Sequence, residues 1–141
     1  MAHREPNVDW EALRKEAVAA LANSYSPYSN FPVGVAGFVD DGRVVSGANV
    51  ENASYGLTLC AECSMVSALH ATGGGRLVAA FCVDGNGEPL MPCGRCRQLL
   101  YEHGGPDLMI MTPQGAQSMD QILPQAFGPW DLKERKAVRG D

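Results

Sequence analysis

The sequence lacks the long apolar segments that membrane insertion or export requires. No run of about eighteen apolar residues occurs in its 141 residues, and residues 1–9 are polar, without the apolar stretch and small-residue cleavage site of a secretory signal. We therefore expect a soluble, cytoplasmic protein.

A basic surface stripe is also missing. The formal net charge is −5, from 16 acidic and 11 basic residues, and the densest basic run, residues 133–139, is interrupted by Glu134. A negatively charged protein repels a phosphate polymer unless a local basic surface intervenes. The composition therefore favours a small-molecule substrate over a polynucleotide.

Histidine is scarce, and His3, His70 and His103 lie outside the motifs described below, so we assign them no chemistry. The cysteines number five, and four of them form two CxxC pairs. In a chain without an export signal, this pattern favours metal binding or thiol chemistry over a disulfide framework. The fifth, Cys82, lies in the apolar run 77–83, and we expect it to be a small buried residue.

The length and the 45% hydrophobic content allow one core but not two. We predict a single domain over 1–141, with its core at about 10–127 and a loosely ordered tail at 128–141. Residue patterns predict helices at 10–23, 60–71 and 93–103, a weak helix near 119–123, and strands at 31–39, 43–48, 77–83 and 108–111. A hairpin followed by two strand–helix–strand units indicates an α/β fold, a three-layer α/β/α sandwich around a mixed five-stranded sheet.

Each cysteine pair begins a predicted helix, in the stretches Cys60-Ala61-Glu62-Cys63 and Pro92-Cys93-Gly94-Arg95-Cys96. Helix N-termini favour thiolates, and Cys96 lies one turn after Cys93 on the same face. If both helices start from the same edge of the sheet, three sulfurs can meet at one ion. Thiolate ligands in tetrahedral geometry select zinc.

Two other interpretations of the cysteines stay open. Four cysteines around a structural zinc would resemble a zinc ribbon, although the 29 residues between the pairs exceed the usual spacing of roughly 15–20. A redox-active CxxC pair would leave the other pair unexplained. Glu62 favours a catalytic zinc, which keeps a position open for water and needs a base beside it. Taken alone, a glutamate in the first helical turn also suits the helix dipole.

Cys60-Ala-Glu62 followed by Pro92-Cys93-x-x-Cys96 resembles the three-cysteine signature of the zinc-dependent nucleobase deaminases. The chain as a whole is similar to the homotetrameric cytidine deaminases from about Trp10 to Phe127. Further motifs carry this resemblance: Tyr28-Ser29-x-Phe31-x-Val33-Gly34, Gly47-x-Asn49-x-Glu51-Asn52-x-Ser54-Tyr55 and Pro92-Cys93-Gly94-x-Cys96-Arg97-Gln98.

The resemblance implies a cytidine deaminase-like fold and an enzyme that hydrolyses cytidine and 2'-deoxycytidine to the uridine forms and ammonia, in pyrimidine salvage. It implies one catalytic Zn²⁺ per subunit, bound by Cys60, Cys93 and Cys96. Glu62 would take a proton from water, deliver it to N3 of cytosine, and then help to protonate the departing ammonia.

The resemblance also implies how the nucleoside is bound. Asn49 and Glu51 match positions that hydrogen-bond the ribose hydroxyls, and a carboxylate there repels a phosphate, which favours a nucleoside over a nucleotide. Phe31 matches the position whose ring packs on the pyrimidine. Without the resemblance, each would suit ordinary loop polarity or an anchor at a strand start.

A composite active site in a homotetramer is a further implication. Ala53 and Tyr55 correspond to a loop that reaches a neighbouring subunit's site, and Phe127 corresponds to the C-terminal aromatic that closes it. Each residue by itself suggests packing. With the resemblance, they imply that the monomer is not the working unit, and that the partners are a nucleoside and other copies of the chain, with no nucleic acid polymer and no membrane.

The chain departs from the family pattern at Cys63, where the family commonly has an arginine directly after the catalytic glutamate. We hypothesise that Cys63 is not a ligand and that Arg95 or Arg97 offsets the thiolate charge. Arg97 fits the family pattern, whereas Arg95 stands where a small residue is common.

Two rival functions remain. One is deamination of another cytosine compound, such as a nucleoside antibiotic, by the same zinc chemistry. The other is a zinc-stabilised interaction module without catalysis.

Overall fold

The computed structural model, described over residues 7–135, builds five strands and five α-helices from this chain. The strands are β1 (Gly34–Val39), β2 (Val44–Ala48), β3 (Leu77–Val83), β4 (Met109–Thr112) and β5 (Gly115–Ser118). The helices are α1 (Trp10–Ala20), α2 (Ala61–Ala71), α3 (Gly94–Gly104), α4 (Met119–Ile122) and α5 (Pro129–Glu134), with short 3₁₀ turns at Leu21–Asn23 and Tyr55–Leu57.

The strands form one mixed sheet in the order β2-β1-β3-β4-β5. Strand β1 is antiparallel to both β2 and β3, so that Val35 faces Gly47 on one side and Cys82 on the other. Strands β3 and β4 are parallel, and β5 returns antiparallel to β4. The predicted mixed five-stranded sheet is confirmed.

Helices cover both faces of the sheet. On one face, Leu13 and Ala17 of α1 pack with Phe81. On the other face, α2 and α3 contribute Met65 and Leu100 to a second cluster. Successive side chains of a strand point to opposite faces, so the central β3 serves both clusters and is apolar throughout. The three-layer α/β/α arrangement follows from this double burial and confirms the prediction.

Helices α2 and α3 run in the same direction because each leads into one of the two parallel strands, β3 and β4. Helix α2 approaches β2 closely at Gly47, where an added Cβ would lie 2.5 Å from Ala61 O and 2.5 Å from Met65 N. This contact sets the position of the first turn of α2, which carries Glu62.

Two elements differ from the sequence expectation. Strand β5 (Gly115–Ser118) lies outside the predicted strands, because its residues include neither a β-branched nor an aromatic side chain. Helix α5 lies within the segment expected to be a loosely ordered tail; its first turn is closed by Gly128 N–H donating to Asp131 Oδ2 at 2.9 Å. The rest of that tail, 136–141, lies outside the described residues. No helix within residues 7–135 has the length and apolarity to cross a membrane.

Candidate active site

Three cysteine sulfurs converge where α2 and α3 begin. Cys60 and Cys93 each precede the first residue of their helix, and Cys96 lies in the first turn of α3. Cys60 Sγ and Cys93 Sγ are 3.9 Å apart, and all three sulfurs lie within 4.8 Å of one another. Tetrahedral zinc with Zn–S bonds of about 2.3 Å requires sulfurs about 3.8 Å apart. The three thiols therefore fit one zinc ion after a small adjustment.

The three thiols differ in acidity. Burial opposes ionisation of Cys93, but the Cys96 N–H and the neighbouring thiols donate hydrogen bonds that lower the pKa of Cys93 overall. Burial raises the pKa of Cys60, and burial with the nearby Glu62 charge raises the pKa of Cys96. Cys93 is therefore the first ligand to ionise, and a cation must draw the protons from the other two.

Glu62 is the one carboxylate among the described residues that line the cavity beside these sulfurs. The cavity has a volume of about 190 Å³, and Glu62 is only 3% exposed. The rest of its lining consists of Val33, Asn49, Thr58, Cys60, Ala61, Cys82, Leu90, Met91, Pro92 and Cys93. A lone carboxylate beside three convergent thiols can move protons to and from a ligand held there.

Sequence reasoning missed part of this lining. Cys82 is buried as expected, yet it also lines the cavity, where burial and then the Glu62 charge raise the pKa of its thiol far above the usual range. Its sulfur is not among the three that converge, so Cys82 is a lining residue and not a ligand. Leu90 and Met91 form an apolar wall of the cavity. The sequence feature that could have indicated this is their position directly before Pro92, at the start of the second cysteine motif.

Arg95, rather than Arg97, faces the sulfurs. Arg95 Nη2 lies 3.8 Å from Cys60 Sγ and 3.9 Å from Cys63 Sγ, and these thiols raise its pKa. Arg97 instead donates to the backbone carbonyls of Pro92 and Ile122. Cys63 is not a member of the group of three convergent ligands.

Asn49 holds the wall of the cavity together. Its Oδ1 accepts from Val33 N–H at 3.0 Å and from the Ser24 hydroxyl, and its Nδ2 donates to Phe31 O at 2.9 Å. The side chain lines the cavity and is 8% exposed, with one Nδ2–H left for a further acceptor.

Glu51 lies in an adjoining cavity of about 300 Å³, lined also by Tyr28, Ser29, Tyr55 and Thr58. Its Oε1 accepts from Tyr28 N–H at 2.9 Å and Ser29 N–H at 3.1 Å, and its Oε2 accepts from the Ser29 hydroxyl. These bonds, the hydroxyl first, hold the pKa of Glu51 below its usual value of 4.5. The carboxylate is therefore charged at neutral pH.

The remaining predicted residues do not line the Glu62 cavity of their own chain. Phe31 is 51% exposed, Tyr55 is 75% exposed, and Phe127 is 58% exposed, while Ala53 is also exposed. Phe127 borders a different surface depression beside α5, and its carbonyl accepts from Gln98 Nε2 at 2.7 Å.

A family model agrees with this geometry. Residues 8–112 match the family described as "Cytidine and deoxycytidylate deaminase zinc-binding region". The matched segment contains the three convergent cysteines and Glu62.

Whole-chain comparisons agree as well. The chain is 61% identical to the cytidine deaminase of Mycobacterium tuberculosis over 132 residues, covering 93% of this chain and 99% of that protein. It is 77% identical to the crystal structure of cytidine deaminase from Mycobacterium leprae, with a TM-score of 0.84, covering 84% of this chain and 100% of that one. For cytidine deaminase from Burkholderia pseudomallei the identity is 40%, the TM-score 0.75, and the coverage 90% and 100%.

Proposed function

Because the chain belongs to the cytidine and deoxycytidylate deaminase family, we propose that its cysteine-lined cavity hydrolyses cytidine and 2'-deoxycytidine to the uridine nucleosides and ammonia. The observation that carries this proposal is the buried Glu62 carboxylate, alone of its kind in the lining, beside three sulfurs spaced for one zinc. Three sulfurs leave a fourth tetrahedral position open, as catalytic zinc requires.

Cys60, Cys93 and Cys96 hold the zinc in this proposal, one ion per subunit. When bound, zinc supplies Lewis acidity that makes water easier to deprotonate near neutral pH. The thiolates add negative charge, which works against that acidity, and Arg95 offsets it from 3.8 Å away.

Glu62 carries the protons. It accepts one from the attacking water and delivers it to N3 of cytosine, while the water oxygen bonds to C4. It then takes the proton of the new C4 hydroxyl and passes it to the amino group, so that the C4–N bond breaks and ammonia leaves. Burial keeps the carboxylate away from bulk water, so both transfers stay within the cavity.

The nucleoside sugar is bound by Asn49 and Glu51. The free Nδ2–H of Asn49 can donate to a ribose oxygen, and the charged Glu51 can accept from a ribose hydroxyl. The same charge repels a 5'-phosphate, which favours nucleosides over nucleotides.

The working unit is a homotetramer with composite sites. The ligand-contacting residues that the resemblance implies include Phe31, Ala53, Tyr55 and Phe127, and none of them lines the Glu62 cavity of its own chain, which supports walls supplied by other copies. The exposed Phe31 packs on the pyrimidine. Ala53, Tyr55 and Phe127 supply walls from neighbouring subunits. We place the enzyme in the cytoplasm, because its ligand thiols require a reducing compartment.

The test combines activity and metal analysis on one sample. Purified protein should convert cytidine and 2'-deoxycytidine, followed by the absorbance change of cytosine to uracil, with cytidine 5'-phosphate turned over far more slowly. Glu62→Gln should keep one zinc per chain and lose nearly all turnover, because the amide cannot accept the water's proton. Zinc without turnover in the parent protein would contradict the proposal, and so would a preference for the phosphate.

A further inference from the structure

Two histidines that the deaminase chemistry does not use lie side by side, far from the active site. His70 Nε2 is 3.2 Å from His103 Nδ1, and the ring centroids are 4.9 Å apart at an interplanar angle of 67°. His70 is in the last turn of α2, and His103 is in the last turn of α3.

The spacing of residues along the two helices brings this pair together. His70 follows Cys60 by ten residues, and His103 follows Cys93 by ten residues. Because the helices run in the same direction and start 3.9 Å apart at their cysteine sulfurs, the equal offsets place both histidines at the same end of the helix pair. A rise of about 1.5 Å per residue places the histidine pair about 15 Å from the cysteines.

The distance between the two nitrogens suits a shared metal ion. Zn–N bonds of about 2.0–2.1 Å across a separation of 3.2 Å give an N–Zn–N angle of about 100°, close to tetrahedral. The carbonyl-rich C-terminal ends of both helices favour a cation at this place. His70 is exposed and His103 is partly exposed, so water can fill the remaining coordination positions.

The protonation of the pair also suits ligation. Burial, and then the neighbouring His70, lower the pKa of His103, with Arg76 adding to the effect and Glu102 opposing it. His103 is therefore neutral at pH 7 and has a lone pair to offer. Imidazole nitrogens are good ligands for zinc, copper and nickel.

We propose that His70 Nε2 and His103 Nδ1 form a second metal site, which binds a divalent transition-metal ion such as Zn²⁺ with water completing the coordination. This site is separate from the cysteine centre and ties together the opposite ends of the same two helices. A bare hydrogen bond between the rings is the competing explanation of the short contact.

Calorimetric titration of ZnCl₂ into the zinc-loaded protein at pH 7.5 tests this proposal. We expect one further zinc per chain. The affinity of this second zinc should fall by at least about tenfold in His70→Gln and in His103→Gln, because losing a residue that only hydrogen-bonds to a metal ligand already costs about that much. His3→Gln is the matched control and should bind like the parent. The ring NMR signals of His70 and His103 should shift during the titration.

Two outcomes would overturn the second site. One is the absence of any uptake beyond the first zinc, which leaves a hydrogen-bonded pair only. The other is further zinc binding that neither substitution in the pair weakens. Retention of the first zinc shows that each variant is folded; if His103→Gln is not, His70→Gln at the exposed position decides the question.

Discussion

Arg95 of α3 and Cys60, which directly precedes α2, are joined by a contact of 3.8 Å between the guanidinium Nη2 and the thiol sulfur. The same Nη2 lies 3.9 Å from Cys63 Sγ and 3.3 Å from the Thr58 carbonyl. Positive charge therefore reaches the sulfurs from α3. In the family that the chain resembles, that charge commonly comes from an arginine directly after the catalytic glutamate, on α2. Cys63 occupies that place without a cation of its own.

Replacing Arg95 by glutamine should weaken zinc binding, because the thiolates lose a neighbouring positive charge and protons compete better for the sulfurs. We expect zinc affinity and cytidine turnover to fall by about tenfold, the effect typical of a group supporting a metal ligand. Arg95→Lys keeps the charge and should retain most of both. Zinc content measured at several pH values should show loss of metal at a higher pH in the glutamine variant.

A charge relocated to α2 provides a second check on Arg95. Adding Cys63→Arg to Arg95→Gln puts the cation at the position where the family commonly has it. Zinc content and turnover should recover toward the parent values. If the double variant is as impaired as Arg95→Gln alone, Arg95 acts by something other than its charge.

Cys63 should prove dispensable for metal binding. It stands outside the convergent group, so Cys63→Ser should keep one zinc per chain and most of the turnover. Cys60→Ser, a substitution of the same size only three residues away, should lose the metal and the activity. Loss of zinc from Cys63→Ser would mean that a fourth sulfur ligates the ion.

The Glu51 contacts predict a stability that depends on pH. Since the Ser29 hydroxyl holds the folded-state pKa of Glu51 below 4.5, the bond stabilises the fold fully above that pH and less as pH falls through the folded pKa. The urea midpoints of the parent and Ser29→Ala should therefore differ more at pH 7 than at an acidic pH where Glu51 is protonated; the bond from Phe31 N–H to the Ser29 hydroxyl does not titrate and contributes equally at both. In a Glu51→Gln background, which has nothing to titrate, Ser29→Ala should have the same effect at both pH values.

Gly47 should be intolerant of a methyl group. An added Cβ would lie 2.5 Å from backbone atoms of α2, so Gly47→Ala must push away the helix that carries Glu62. Overpacking of this kind costs about 1–3 kcal/mol of unfolding free energy, and we expect zinc affinity to fall with it. Gly94→Ala, where an added Cβ meets nothing within 4 Å, should leave stability unchanged or slightly raised. Thermal unfolding of both variants, with and without zinc, measures the difference.

The sequence predicted best those elements whose local residue pattern agrees with their position in the fold. The apolar run of β3 is bounded by glycines before it and a turn after it, and its predicted limits match the observed strand, Leu77–Val83. The positions of Cys60 and Cys93 at the starts of helices were predicted equally well. Backbone N–H groups at a helix N-terminus favour thiolates in any fold.

The sequence did not show which face of α3 is directed toward the cysteine sulfurs. Arg95 and Arg97 are two residues apart, and on a helix such residues face roughly opposite sides, so only packing against α2 selects Arg95 for the sulfurs. Strand β5 shows the same limit, since pairing with β4 rather than its composition makes it a strand. Helix α5 did carry a local signal, in Pro129 at its first position and Asp131 two residues later.

Cys60 and Cys93 are 33 residues apart, and the chain between them contains α2 and β3. An ion that joins the two sulfurs holds the ends of this segment together only in the folded chain, so its binding free energy adds directly to the stability of the fold. The metal-free protein should accordingly open its α2–β3 segment more often and be cleaved there by proteases. Metal supply thus governs the lifetime of the folded enzyme as well as its turnover.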